Sequence, residues 1–195
     1  MTALSQAALA QLFTDARSLH SFRPEAVTDA TLAELYDLLK WGPTAFNAQP
    51  GRYLFLRTAA AKARLAPALM PANLKKTLAA PVTVIIAMDV KFYEQLPRLF
   101  PAYDAKAMFE PNPALAASTA FRNTSLQGAY LMIAARALGL TCGPMSGFDA
   151  DKLNAEFFAD GRAQANFLCN LGYADVAGAK PRDPRLAFAE ACQLL

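Results

Sequence analysis

The chain has 195 residues, 54% of them hydrophobic and 18% charged, with 13 Phe, 6 Tyr and 1 Trp. So much apolar surface excludes a disordered chain, and the length predicts one domain, since domains run about 50–250 residues. Net charge is only +3, from 19 basic and 16 acidic residues; with no run of four Lys or Arg it gives no basis for a nucleic-acid partner.

Apolar spacing at Leu4, Ala8, Leu9, Leu12 and Phe13 predicts a helix over 4–16, and the absence of Lys and Arg from it argues against an export signal. Asp29 is placed to cap a second helix over 30–41. Its apolar face is Leu32, Leu35, Tyr36, Leu38 and Leu39, and Gly42-Pro43 ends it. Residues 52–57 alternate like a strand, and 59–70 read as a short helix. The β-branched, nearly all-apolar run 81–88 predicts a central strand covered on both faces. No apolar run approaches the ~20 residues of a membrane span.

Prolines 97, 101, 111 and 113 break any long helix across 91–113, where Phe92, Tyr93, Phe100, Tyr103 and Phe109 are interleaved. That segment reads either as a lid or binding loop, or as an aromatic flap packed for stability. Residues 114–140 carry the strongest helix signal. From Leu126 to Leu140 the only charge is Arg136, which predicts a helix enclosed on every side, in the core or in a dimer seam, and ended by Gly139 and Gly143. Asp149 opens a further helix to Phe158, residues 165–172 read as a strand, and 187–194 as a short helix or arm. Helices alternating with a few strands predict a layered fold of helices on a sheet.

Several chemistries lack their residues. Cys142, Cys169 and Cys192 form no CxxC, and His20 is the only histidine, so no metal site is expected. Unpaired thiols suit a reducing cytoplasm. Cys142 as a nucleophile would have only His20 as its base, so a buried thiol is the better reading. The chain holds no GxGxxG, GxxxxGK[ST] or GxSxG. A bound organic cofactor would let such a chain do chemistry.

Four segments remain. Arg17-Ser18-Leu19-His20 groups a guanidinium, a hydroxyl and an imidazole, which suits an anion as well as it suits a helix end. Pro43-Thr44-Ala45-Phe46-Asn47-Ala48-Gln49-Pro50 is a rigid irregular loop that offers amides to a planar heterocycle, or else a plain turn. Asn73-Leu74-Lys75-Lys76 precedes the central strand. Gly139, Gly143 and Gly147 let backbone approach something flat, although a helix-ending turn would also explain them.

Taken in order, these segments resemble the FMN-dependent nitroreductase family. Arg17-Ser18-x-His20-x-Phe22 matches its Arg-Ser-x-Arg/Lys-x-Phe pattern, and Pro43-Thr44-Ala45-x-Asn47-x-Gln49-Pro50 matches its Pro-Ser-Ser-x-Asn-x-Gln-Pro loop. Asn73 falls where that family places a flavin-binding Asn, and Lys76 follows in step. Gly143-Pro144-Met145-x-Gly147-Phe148 and Lys180-x-Arg182-x-Pro184 match its flavin-ring segment and its phosphate clamp. Within the family, Lys40-Trp41-Gly42-Pro43-Thr44, Ala120-Phe121-Arg122-Asn123 and Glu190-Ala191-Cys192 are most similar to the malonic semialdehyde reductases of pyrimidine degradation. His20 stands where the wider family has Arg or Lys, Ser146 where better-known members have Glu, and Gly51 where many have Trp.

The resemblance implies an α+β, three-layer, nitroreductase-like fold, with a mostly antiparallel sheet flanked by helices, in a cytoplasmic homodimer with FMN at its interface. Arg17, Ser18, Lys180 and Arg182, with Arg185 as a further candidate, would hold the phosphate. Pro43, Thr44, Ala45 and Asn47 would come from the partner subunit. Asn73 would meet the pyrimidine edge, and Pro144, Met145, Ser146 and Gly147 would lie along the ring. His20 starts from a reference pKa of about 6.5, and an anionic neighbour would favour its charged form. The implied reaction is ping-pong: NADPH or NADH as donor, then a small aldehyde or other oxidised substrate. Malonic semialdehyde going to 3-hydroxypropanoate stands first, with Tyr103, Lys106, Arg122 or water as proton donor. Broad nitro, quinone or enone reduction and a flavin-holding dimer without turnover are the alternatives.

Overall fold

The computed structural model describes residues 2–177 and 181–195. Its centre is one four-stranded sheet in the order β1-β2-β4-β3, formed by β1 (Gly51–Leu56), β2 (Val82–Asp89), β3 (Thr141–Met145) and β4 (Ala163–Gly172). Every neighbouring pair is antiparallel, with one irregularity in register between Ile86 and Ala87. As expected, the β-branched run becomes an inner strand. Side chains alternate across a strand, so β2 sends Val82, Val84 and Ile86 into one core and Ile85 and Ala87 into another.

Helices cover both faces, which gives the three layers. On the first face lie α2 (Asp29–Leu39) and the 25-residue α7 (Pro113–Ala137), packed through Leu32, Leu35, Leu39, Leu131 and Ala135. On the second lie α3 (Ala59–Leu65) and α8 (Ala150–Phe157), through Leu65 and Leu153, beside α4 (Pro71–Ala79). Short helices α1 (Gln6–Leu9), α5 (Leu96–Leu99), α6 (Lys106–Phe109) and α9 (Phe188–Ala191) complete the chain.

Several boundaries differ from the expectation for local reasons. Thr28, not Asp29, caps α2: its Oγ1 accepts from the Thr31 N–H at 3.1 Å, and Asp29 becomes the acidic first-turn residue. Tyr36 and Leu38 lie on the exposed side of that helix, and only Leu32, Leu35 and Leu39 are buried. Helix α7 stops three residues early, because Gly139 takes φ +77° and the Leu140 N–H turns back to Ala135 O at 2.8 Å. Gly143 therefore ends no helix and sits inside β3, which the glycine spacing had disguised as a loop. Within one chain α7 is covered on one face, and Phe121, Leu126 and Tyr130 are exposed on the other.

Residues 91–113 have a small core of their own. Phe92, Leu96, Ala105 and Phe109 are buried against Ala116 and Ala120 of α7, so this part of the segment is packed rather than loose. At its start, Asp89 binds Arg52, Arg162 and the Lys91 N–H.

Candidate functional site

The N-terminal segment is laid along the free edge of β3. Ser18 bridges to Cys142 as a short parallel extension of the sheet, and Phe22 bridges to Ala174. This brings Arg17, Ser18 and His20 to the rim of a cavity of about 710 Å³, whose far wall carries Arg136, Arg182 and Arg185. Four arginines thus face two lining acids, Asp175 and Asp183. Arg182 crosses from the chain's end to donate through Nη2 to Thr14 O at 2.5 Å and Ala16 O at 2.7 Å. Arg136 fixes the same turn through Leu12 O at 2.9 Å. Arg17 Nη1 is buried with no partner among the described residues. An unpaired buried donor costs about 1–3 kcal/mol, and the acceptor that suits a guanidinium is an oxyanion. Lys180 lies outside the described residues.

Beyond this cavity β3 leads into a shelf. Asn73, buried near the start of α4, donates from Nδ2 to Gly147 O at 2.8 Å, and the Met70 N–H reaches the same oxygen at 3.2 Å. Gly147 is required here, because a Cβ would lie 2.5 Å from Asn73 Nδ2. Asn73 thereby ties α4 to the Pro144–Gly147 strand end, and Met145 is buried beneath. His20 is near Gly143, where a Cβ would come 3.7 Å from its Nδ1. Partial burial and the neighbouring Lys76 push its ionisation below the usual histidine value, so in the free chain the imidazole favours its neutral form. The sequence alone had suggested an anionic neighbour; the structure supplies a cation as well.

The shelf rests on polar groups that the sequence reading missed. Buried Asn170 on β4 accepts from Thr83 Oγ1 at 2.8 Å and reaches Lys76 O at 3.4 Å and Thr77 Oγ1 at 3.5 Å. Lys62, buried and held low by that burial, donates to Ala80 O at the C-terminus of α4. A polar Asn inside an apolar strand was the available signal. Among the described residues, no three His, Cys, Asp or Glu gather where they could hold a metal, and no helix is long and apolar enough to cross a membrane.

Pro43, Thr44, Ala45 and Asn47 are elsewhere. Their loop is held by Asn123 Oδ1, which accepts the Ala45 N–H at 2.8 Å, and by Leu99 O, which accepts from Asn47 Nδ2 at 3.0 Å. Phe46, Asn47 and Gln49 all take positive φ, a costly backbone for non-glycine residues. Phe46 is pinned by Phe100 and Phe109, with ring centroids at 5.5 and 5.9 Å. From Asn123 to Arg136 along α7 is about 20 Å at ~1.5 Å per residue. Within one chain the arginine cavity and the strained loop are therefore separate.

Comparison with known proteins follows this geometry. Residues 14–173 match the model of the nitroreductase family. A protein of Polynucleobacter asymbioticus named "Putative NADH dehydrogenase/NAD(P)H nitroreductase" is 54% identical, over 98% of both chains. A Burkholderia lata protein of the same description is 56% identical over the full length of each. Among solved structures, an Exiguobacterium sibiricum "putative nitroreductase in complex with FMN" superposes with TM-score 0.85 at 19% identity, covering 100% of this chain and 99% of that one. A nitroreductase-family protein from Streptococcus pneumoniae gives 0.82 at 20%, covering 96% and 100%. At these identities the two structures establish the shared fold.

Proposed function

The chain belongs to the nitroreductase family, and on that premise we propose that it is an FMN-dependent NAD(P)H oxidoreductase of the cytoplasm, formed as a single domain. The observation that carries this is the arginine cavity, with a buried Arg17 nitrogen that lacks an acceptor among the described residues, together with the Asn73–Gly147 contact past the end of β3. A phosphate fits the first part and a flat heterocycle the second.

Arg17, Ser18 and Arg182, with Lys180, would hold the phosphate, since charge-assisted bonds to a dianion are the strong ones. Asn73 spends one N–H on Gly147 and keeps a second N–H and its carbonyl for a ring edge. The bare Gly147 lets Asn73 close onto its backbone, and Lys76 and His20 would stand where negative charge gathers. When bound, FMN takes a hydride from NAD(P)H and gives it to the substrate.

The strained loop completes the site from a second copy of the chain. Two features support this. The two regions are far apart within one chain, and apolar side chains stand bare just after α2, on α7 and on the C-terminal tail, among them Trp41 (77% exposed), Phe121, Tyr130, Leu186 and Phe188. Tyr103, which stacks on Phe46 of that loop, is the candidate proton donor we favour over Lys106, which pairs with Glu110 at 3.2 Å.

The specific substrate we propose is malonic semialdehyde, reduced to 3-hydroxypropanoate. It is supported by the run from Lys40 to Thr44 and by Ala120–Asn123. The names of the relatives favour a second reading, broad reduction of nitro compounds and quinones. The deciding experiment is the absorption spectrum of purified protein, followed by anaerobic NADPH. Bleaching reversed by malonic semialdehyde is the expected result. Recovery only with nitrofurazone or menadione selects the second reading, and absence of flavin after incubation with FMN overturns both.

A further inference from the structure

Behind the strained loop a second cavity, of about 560 Å³, opens between α2, the start of β1, α5 and the middle of α7. Its polar wall is Lys40, Gln49, Arg52, Tyr53, Arg98 and Gln127, and no acid lines it among the described residues. Lys40 is already paired with Asp37 at 2.5 Å, and Arg52 with Asp89 at 2.6 Å. Arg98 has only a 3.3 Å contact with Gln95 Oε1 and no carboxylate partner among the described residues. The Tyr53 hydroxyl is buried without a partner among the described residues. Burial, reinforced by Tyr36, pushes its ionisation well up and keeps it a donor. Gln127 Oε1 accepts the Gly51 N–H at 2.8 Å, so its amide nitrogen remains to donate.

Gly51 makes the room. A Cβ there would lie 2.5 Å from Tyr53 Oη and 2.9 Å from Gln127 Oε1. A guanidinium, a phenol and an amide are thus gathered as donors that lack an acceptor, and the complement of such a set is an oxyanion. The cavity also touches the proposed site directly. Asn47 accepts from Gln49 Nε2 at 2.9 Å and donates to Leu99 O at 3.0 Å, and both of those partners line the cavity wall.

We infer that this cavity receives the carboxylate of a small organic anion, with Arg98, Tyr53 and Gln127 as its donors, and that it selects anionic carbonyl substrates for the site Asn47 borders. The selection of substrates rests on the reductase reading above; the anion site itself does not.

The test is calorimetric titration of the FMN-loaded protein with malonate, an unreactive dicarboxylate, with inorganic phosphate in parallel. Wild type binds malonate. R98Q and Y53F each bind it about tenfold more weakly, since each loses a hydrogen bond to an ionised carboxylate. Arg98 is exposed, so R98Q is not expected to disturb folding. In turnover, R98Q lowers the ratio of kcat/KM for malonic semialdehyde to that for propanal by about tenfold. No malonate binding, or binding indifferent to R98Q, overturns the site, and phosphate binding as tightly with the same Arg98 dependence overturns its assignment to a carboxylate. Should the protein take up no FMN, the cofactor reading falls, while the same titration of the flavin-free chain still decides the anion site.

Discussion

Asp89 offers the sharpest test of how the fold supports this loop. Its carboxylate is 3% exposed, accepts three hydrogen bonds, from Arg52 Nη2 at 2.6 Å, Arg162 Nη2 at 3.1 Å and the Lys91 N–H at 2.9 Å, and is ion-paired with Arg162 Nε at 2.7 Å. Asp89→Asn keeps the size and removes the charge, and it points an amide NH₂ at two guanidinium groups. A fully buried pair broken on one side costs about 3–5 kcal/mol. Here the arginines are 40% and 35% exposed and regain water, and Arg162 keeps Glu94 at 2.5 Å. The expected loss is therefore about 2–3 kcal/mol. At ~2–4 °C per kcal/mol for a chain of this size, the melting midpoint falls by roughly 5–10 °C. Thermal and urea unfolding measure it, and limited proteolysis should cut 91–113 first, since Lys91 and Arg162 moor that segment. A loss below about 0.5 kcal/mol, within the range of an ordinary surface substitution, would refute the reasoning.

Three further outcomes follow from single contacts. Gly139→Ala should cost about 1 kcal/mol in urea unfolding, because φ is +77° and nothing lies within 4 Å of a Cβ, so the whole effect is backbone; a neutral result would contradict it. Gly147→Ala places a methyl 2.5 Å from Asn73 Nδ2; FMN retention should fall about tenfold, the loss of ~1.4 kcal/mol, and equal retention would remove Asn73 from the ring edge. His20 is held low in the free chain by burial and Lys76, so negative charge on reduced flavin should draw a proton onto it on reduction, over the range in which the imidazole is neutral before reduction. The midpoint potential of wild type should then fall more steeply with pH than that of His20→Arg, by up to ~30 mV per pH unit for a two-electron couple, and identical slopes would exclude the imidazole.

The parts of the fold that obey one short-range rule were legible. The β-branched run 81–88 could only be an inner strand, and the Asp149 cap holds, its Oδ1 accepting the Lys152 N–H at 3.1 Å. What the sequence hid was decided by distant neighbours. Strand β3 carries Gly143 and Pro144, which are poor strand residues, and it exists because β4 pairs with it and Ser18 covers its edge. Helix α7 read as apolar, yet Asn123 and Gln127 are buried on one face to hold the Ala45 and Gly51 N–H groups. Their i, i+4 spacing was visible; the loops they serve, more than seventy residues earlier, were not.

That spacing also bears on the proposed pairing of two chains. Asn123 fixes the strained loop, Gln127 fixes the start of β1, and Arg136, further along the same helix, fixes the turn beneath the arginine cavity. A single rigid helix thus sets the positions of both regions, while its exposed face, with Phe121, Leu126 and Tyr130, lies between them. If that face packs against its own copy in antiparallel fashion, the loop of one chain is carried toward the arginine cavity of the other, and two equivalent sites form together. Substituting Tyr130 by Asp should then dissociate the pair and release flavin in the same concentration range. Loss of flavin from a chain that remains dimeric would show that the loop is not supplied across the interface.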